Sequence, residues 1–234
     1  MAYDLADGIN WYVVFLFSIS CHEAAHAWAA SRLGDDTAKE AGQVTLDPTP
    51  HMKRAPFGTV VVPIVSYILS GSVIGWAHAP YSEEWARRWP ARCALMSLAG
   101  PVANLGIAIL ALFLIRVGCE WGVFSVHEAP RLREMLWVPP GASGIWVFLK
   151  KILGITFQLN VLLGVFNLIP LPPLDGCKLP FFLLPKSVAE SYWSLIRNPS
   201  IGWMGTYAAW KVFESVAPTV LEALSRSLYA ATRI

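Results

Sequence analysis

The chain has 234 residues, of which 55% are hydrophobic and only 15% charged. Soluble domains carry about one quarter charged residues, so this composition excludes an ordinary water-soluble globule and points to a membrane protein of one domain's length. A dispersed net charge of +2 makes no electrostatic case for nucleic acid. The four cysteines show no Cys-x-x-Cys spacing and imply no disulfide framework.

The N-terminus does not read as a cleaved signal peptide, since Asp4 and Asp7 stand where positive charges belong. Four stretches are long enough to cross a bilayer, which takes about 20 apolar residues: 9–33, 57–77, 93–115 and 152–174. Tryptophans near the ends of apolar runs, among them Trp11, Trp76, Trp121 and Trp146, suit interfacial belts. The first run contains His22-Glu23-Ala24-Ala25-His26. Residues four apart share a helix face, so His22 and His26 can offer two imidazole nitrogens to one cation. Glu23 beside them has the position of a general base in a zinc hydrolase. At ~1.5 Å per residue the pair lies roughly 10–17 Å inside the end marked by Leu33. Ionisable side chains at such depth mark functional sites.

In the polar segment 34–56, Gln43-Val44-Thr45-Leu46 is bounded by Gly42 and Asp47-Pro48. It reads as a short β-like segment near 42–47, whose edge could hold an extended peptide. A plain connecting loop reads equally well. The run 57–77 carries Pro63, Gly71 and Gly75. If the ends of the first and fourth helices meet on one face, 34–92 must begin and end on one side. The segment 78–92 is too polar for a second crossing, so re-entry of 57–77 is expected. The run 93–115 sets Gly100, Asn104, Ala108 and Ala111 on one face, where small residues allow close helix contact and Asn104 can hydrogen-bond between helices. The segment 116–151 carries no catalytic signal.

The fourth run leads into Asn167-Leu-Ile-Pro-Leu-Pro-Pro-Leu-Asp175-Gly176. Pro170, Pro172 and Pro173 lack helical donors and swing Asp175, the only aspartate beyond residue 47, away from the helix. Catalytic zinc takes three protein ligands and keeps one position open. Asp175 is the candidate third ligand and Cys177 its rival. Asn167, where the helix must end, can donate its amide to a peptide carbonyl or developing oxyanion. Beyond Gly176, apolar pieces at 179–184 and 200–217 allow one further crossing. The expected fold is an all-α polytopic membrane protein, a bundle of about four to six transmembrane or re-entrant helices. It forms one domain over 1–234, with its core in the four runs up to residue 176 and a variable tail over 177–234. Lys and Arg asymmetry orients the N-terminus outward and the metal toward the cytoplasm.

His22 through His26, Ala99-Gly100-Pro101-Val102-Ala103-Asn104, and Asn167 through Gly176 together resemble the three signature regions of the site-2 protease family. These are intramembrane zinc metalloproteases. The order and spacing match the compact bacterial branch over most of residues 9–185, without PDZ-like or CBS-like domains. The resemblance implies one zinc on His22, His26 and Asp175, Glu23 as base, and Asn167 near the scissile peptide. It also implies transmembrane protein substrates, a multi-pass place in the lipid bilayer of the cell membrane, and cleavage near the cytoplasmic face. Two departures stand out: Asp175-Gly176-Cys177-Lys178 where the family often has Asp-Gly-Gly-Arg, and His78-Ala79-Pro80 where the compact branch often has Lys-Pro. Two other classes stay open. In one, the same residues bind a travelling ion in a metal transporter or sensor. In the other, the chain binds transmembrane segments without cleaving them.

Overall fold

The computed structural model describes residues 4–71, 73–131 and 134–232. The first helix, α1, runs Leu5–Leu33. Asp4 caps it by accepting from the Ala6 N–H at 3.0 Å, and Gly34 ends it in the left-handed region at φ 101. Two short helices follow, α2 (Thr37–Glu40) and α3 (Pro48–Arg54).

The second apolar run folds back on itself. A π-helical turn of 5 residues, Phe57–Val61, leads into α4 (Val62–Ser70) of 9 residues. At ~1.5 Å per residue they rise roughly 21 Å, short of a ~30 Å hydrocarbon core. Gly71 then reverses the chain, and the return is extended enough for the Trp76 N–H to donate to the Gly58 carbonyl at 3.0 Å. Both ends of the run therefore lie at one level, the geometry expected of re-entry. Glycine is required at the crossing: a Cβ on Gly75 would sit 2.3 Å from the Gly58 carbonyl oxygen. The tip of the hairpin reaches the start of α1, where the Tyr67 hydroxyl donates to the Asp4 carbonyl at 2.8 Å.

Next come α5 (Glu83–Arg88) and the long α6 (Pro90–Glu120). An antiparallel hairpin, β1 (Ser125–Arg131) with β2 (Glu134–Trp137), pairs Ser125 with Trp137 and Val126 with Leu136. Helix α7 (Gly144–Asn167) is followed by a 3-10 helix (Asp175–Phe182), α8 (Lys186–Ile196) and α9 (Pro199–Thr232).

The centre is made by α1, α6 and α7. Val14, Phe15 and Ile19 of α1 pack on Ile155 and Leu159 of α7. Ala108, Ala111 and Ile115 of α6 pack on Phe157 and Val161. Gly100, Asn104, Ala108 and Ala111 are all buried, as their shared face predicts. In an apolar medium helices gain little from hiding apolar surface, so contact rests on close packing and polar links, which small residues permit. The outside is oily: Val13 and Phe17 on α1, Ile64 and Ile68 on α4, and Ile109 and Phe113 on α6 are exposed. Among the described residues two helices, α6 and α7, are long and apolar enough to cross a membrane. Helix α1 has the length, but buried Ser18, Ser20, His22, Glu23 and His26 interrupt its apolar character.

Three expectations need correction. Residues 42–47 form a turn at Gly42 and bends over 44–46, with Gly42 at φ 69 and the Thr45 carbonyl accepting from His51 Nε2 at 3.0 Å. Turn chemistry wins there because no neighbouring strand among the described residues pairs with it; the sheet lies instead within 116–151. Helix α7 begins at Gly144 rather than near 152, enclosing Lys150 and Lys151, and Lys151 is matched by Asp7 at 2.9 Å. The tail piece 200–217 belongs to one helix of 34 residues. Helix α9 presses on the Pro172 turn so closely that a Cβ on Gly205 would lie 2.0 Å from the Pro172 carbonyl oxygen.

Substituting Gly75→Ala should force the hairpin open at a cost of about 1–3 kcal/mol. Thermal unfolding in detergent should then fall by several degrees; an unchanged midpoint would contradict the fold-back.

Candidate metal centre

On α1 the four-residue spacing stacks His22 and His26, whose ring centroids are 4.6 Å apart. Helix α6 meets them through Gly100, where a Cβ would fall 2.4 Å from His26 Nε2 and 2.5 Å from His22 Nε2. Only glycine lets the helix pass this close. The third side is the chain after α7. That helix stops at Asn167, and the proline-rich segment continues in tight turns, with the Leu171 N–H on the Ile169 carbonyl at 2.8 Å and the Leu174 N–H on the Leu171 carbonyl at 3.0 Å. A Cβ on Gly176 would lie 2.3 Å from the Leu168 carbonyl oxygen, so the turn closes on itself. The Ser97 hydroxyl ties the Asp175 carbonyl to α6 at 2.7 Å.

The outcome is a triangle of three atoms. His22 Nε2 and His26 Nε2 are 3.0 Å apart, and Asp175 Oδ2 lies 3.0 Å from the first and 3.1 Å from the second. The surrounding hydrogen bonds say what these atoms are. Asn160 Nδ2 donates to the Ser18 hydroxyl and to the Thr156 carbonyl, both at 2.8 Å, leaving Asn160 Oδ1 as an acceptor. Asn104 Nδ2 donates to that oxygen at 2.7 Å and to the Ser18 carbonyl at 3.3 Å. Asn104 Oδ1 must then accept, and it takes the His22 Nδ1–H at 2.5 Å. The His26 Nδ1–H donates to the Met96 carbonyl at 2.8 Å. A neutral imidazole protonated at Nδ1 carries a lone pair at Nε2. With both imidazoles neutral, two lone-pair nitrogens and a carboxylate oxygen face one another with no hydrogen to share. They repel unless a cation stands among them. Donor atoms around tetrahedral zinc at about 2.0–2.2 Å lie roughly 3.3 Å apart, so the donor set and its spacing fit that ion.

The other Asp175 oxygen, Oδ1, faces the Ser97 hydroxyl at 3.4 Å and Lys178 Nζ at 4.0 Å. That ammonium lies 5.2 Å from the Tyr81 ring centroid. Lys178 thus supplies a cation where the related pattern often has Arg. Glu23 is 3% exposed, and its Oε2 has no hydrogen-bond partner. An unsatisfied buried carboxylate oxygen is costly, and it sits on the same helix turn as the triangle.

The structure brings His22, His26 and Asp175 together, and Glu23 follows His22 on α1 as a buried residue. Cys177 is buried and free, and its thiol is not part of the group. Asn167 points its amide back into α7, donating to the Leu163 carbonyl at 3.0 Å; it makes no hydrogen bond to the triangle. The sequence reading gave Asn104 an interhelical hydrogen bond but missed Ser18 and Asn160, which with Asn104 link three helices. Two signals marked them: Ser18 is one helical turn before His22, and Asn160 is a polar residue within an apolar run. The small-residue face marked Gly100 for close helix contact, but that the contact is with the two imidazoles, and that Gly205 is a brace, had no sequence signal, because both depend on a partner distant in the chain.

Residues 11–194 match the model for Peptidase family M50. The chain is 31% identical over 221 residues to the "Putative zinc metalloprotease YwhC" of Bacillus subtilis, covering 91% of this chain and 90% of that one. It is 34% identical over 162 residues to the "Putative zinc metalloprotease Rip2" of Mycobacterium tuberculosis, covering 69% of this chain and 52% of Rip2. The Rip2 match thus spans about half of that protein's length. No solved structure matches the chain.

Asn104→Leu removes the acceptor that holds the His22 tautomer. Outer partners of this kind typically set metal affinity by about 10–100-fold. Competition with a zinc chelator should show a loss of that size while helix content stays; unchanged affinity would remove Asn104 from the centre.

Proposed function

The chain belongs to peptidase family M50 and is a zinc metalloprotease, and from that premise we propose that it is an endopeptidase cutting the transmembrane segments of other proteins within the bilayer. Zinc held by His22, His26 and Asp175 would supply a water of lowered pKa and polarise the peptide carbonyl. Glu23 takes the proton of the attacking water and delivers it to the leaving nitrogen. The observations that carry this reading are the three converging acceptor atoms and the buried, unpartnered Oε2 of Glu23, the residue next to His22 on α1. No structural role engages that oxygen, whereas proton transfer needs it free.

Placement within the bilayer is supported by the oily exterior of α1, α4 and α6 around a polar interior. The Lys and Arg excess on the side of residues 34–92 favours a cytoplasmic-facing site in the cell membrane. A groove of about 400 Å³ lies between Cys21, Ala25 and Trp28 of α1, Val44 and Leu46 of the bent segment, and Ile107 of α6. It is lined by the same helices that carry the site and suits an apolar segment. A substrate helix must unwind to expose a peptide bond, because its carbonyls are occupied internally. Residues that weaken helices in the substrate are therefore favoured near the cut. Asn167 receives the freed peptide by releasing the Leu163 carbonyl, so its contribution depends on substrate arriving.

The decisive comparison is wild type against Glu23→Gln in a reconstituted cleavage assay with a model transmembrane substrate. Zinc content should persist while cleavage falls by at least about 10²-fold. Cleavage retained by Glu23→Gln would overturn the assignment of the base, and zinc retained without any cleavage in wild type would favour ion binding or scaffolding instead.

A further inference from the structure

We propose that a small pocket between α5, the start of α6 and α8 binds the phosphate of an anionic phospholipid headgroup. The proposal rests on the chain being embedded in a bilayer but not on the protease chemistry. The pocket holds about 120 Å³, too small for a drug-sized ligand or cofactor, whose sites start at about 300 Å³. Its floor is apolar, made by Ala86, Phe181 and Ala189, with one exception. Trp193 is 2% exposed, and its indole N–H meets no acceptor. Buried donors are nearly always paired, so this one calls for an acceptor from outside the chain.

The rim is cationic. Arg88 and Lys186 line the pocket, are exposed, and have no acidic partner among the described residues. Of the other charged groups there, Arg87 and Glu190 neutralise each other. Nearby Glu83 is held by Arg197. Lys186 is also the first residue of an 11-residue helix; the Val188 and Ala189 N–H groups donate to the Pro185 carbonyl, and the Lys186 and Ser187 N–H groups stand at the helix start without a helical acceptor. An anion with several acceptor oxygens satisfies the indole, the two cations and the helix start together.

The level in the molecule indicates which anion. The Trp85 indole donates to the Leu33 carbonyl at 3.3 Å, and Arg92 donates to the same oxygen at 3.1 Å, so the pocket stands at the end of α1. Beside it, Trp89 is 42% exposed, with the Arg92 guanidinium 4.3 Å and the Arg88 guanidinium 5.7 Å from its ring centroid. An amphipathic aromatic ring flanked by guanidinium groups belongs at the bilayer–water boundary. Phosphates of anionic lipids are concentrated at that depth.

The test uses the full chain in neutral detergent and reads the thermal midpoint with added phosphatidylglycerol, phosphatidylcholine or inorganic phosphate. Phosphatidylglycerol should raise the midpoint in a concentration-dependent manner, and the other two should not. Arg88→Gln and Lys186→Gln should each weaken the apparent affinity about fivefold. Trp193→Phe should lower the lipid-free midpoint through the volume it removes, and should also reduce the phosphatidylglycerol-induced rise measured from its own lipid-free midpoint. Equal shifts from phosphatidylcholine, a full response from inorganic phosphate alone, or an undiminished response in the double variant Arg88→Gln/Lys186→Gln would each overturn the proposal. None of these readouts involves peptide cleavage, so failure here is separable from failure of the protease reading.

Discussion

Three electron-rich atoms from two distant parts of the chain are held about 3 Å apart, and most of the architecture is explained by what that requires. Such a cluster is unstable by itself, since lone pairs repel and burial removes the water that would screen them. It persists only if each contributing group is locked from behind. His22 is locked through Asn104 and Asn160, His26 through the Met96 carbonyl, and Asp175 through Ser97 and the turn at Gly176. All of these locks come from α6, α7 or the segment after α7. Close packing of three helices and the orientation of three side chains are thus the same structural problem.

The solution divides the molecule by polarity in the reverse sense of a soluble protein. Polar side chains gather where α1, α6 and α7 meet, while large apolar side chains line the outside. Small residues on α6 make the approach possible, and Gly100 does so at the one point where any side chain would strike both imidazoles. The hairpin of residues 57–77 serves the same end: it lets the chain cover α1 and return to the level from which α6 starts. Helix α9 then braces the proline turn from the opposite side through Gly205.

What was legible in the sequence follows from the range of the interactions involved. Local rules placed His22 and His26 on one face and ended α7 at Asn167, because helix periodicity and the missing N–H groups of proline act within a few residues. The rarity of aspartate after residue 47 drew attention to Asp175 for a reason of composition. The fold-back of 57–77 followed from a topological constraint rather than from propensity. Illegible were most contacts between residues more than 30 apart, such as Asn160 with Ser18 and Gly205 with Pro172. The strand expected at 42–47 failed for the same reason, since a strand needs a partner and the local pattern cannot say whether one exists. The β-hairpin in 116–151 was hidden by mixed charge and aromatic content that gave no alternation to read.

The family assignment and the geometry converge on a zinc protein, and the central claim concerns which atoms surround the ion. X-ray absorption at the zinc edge of the purified, metal-loaded chain tests it most directly. The account predicts two imidazole nitrogens and oxygen donors at about 2.0–2.2 Å. A sulfur scatterer near ~2.3 Å, or a shell with fewer than two imidazoles, would contradict it.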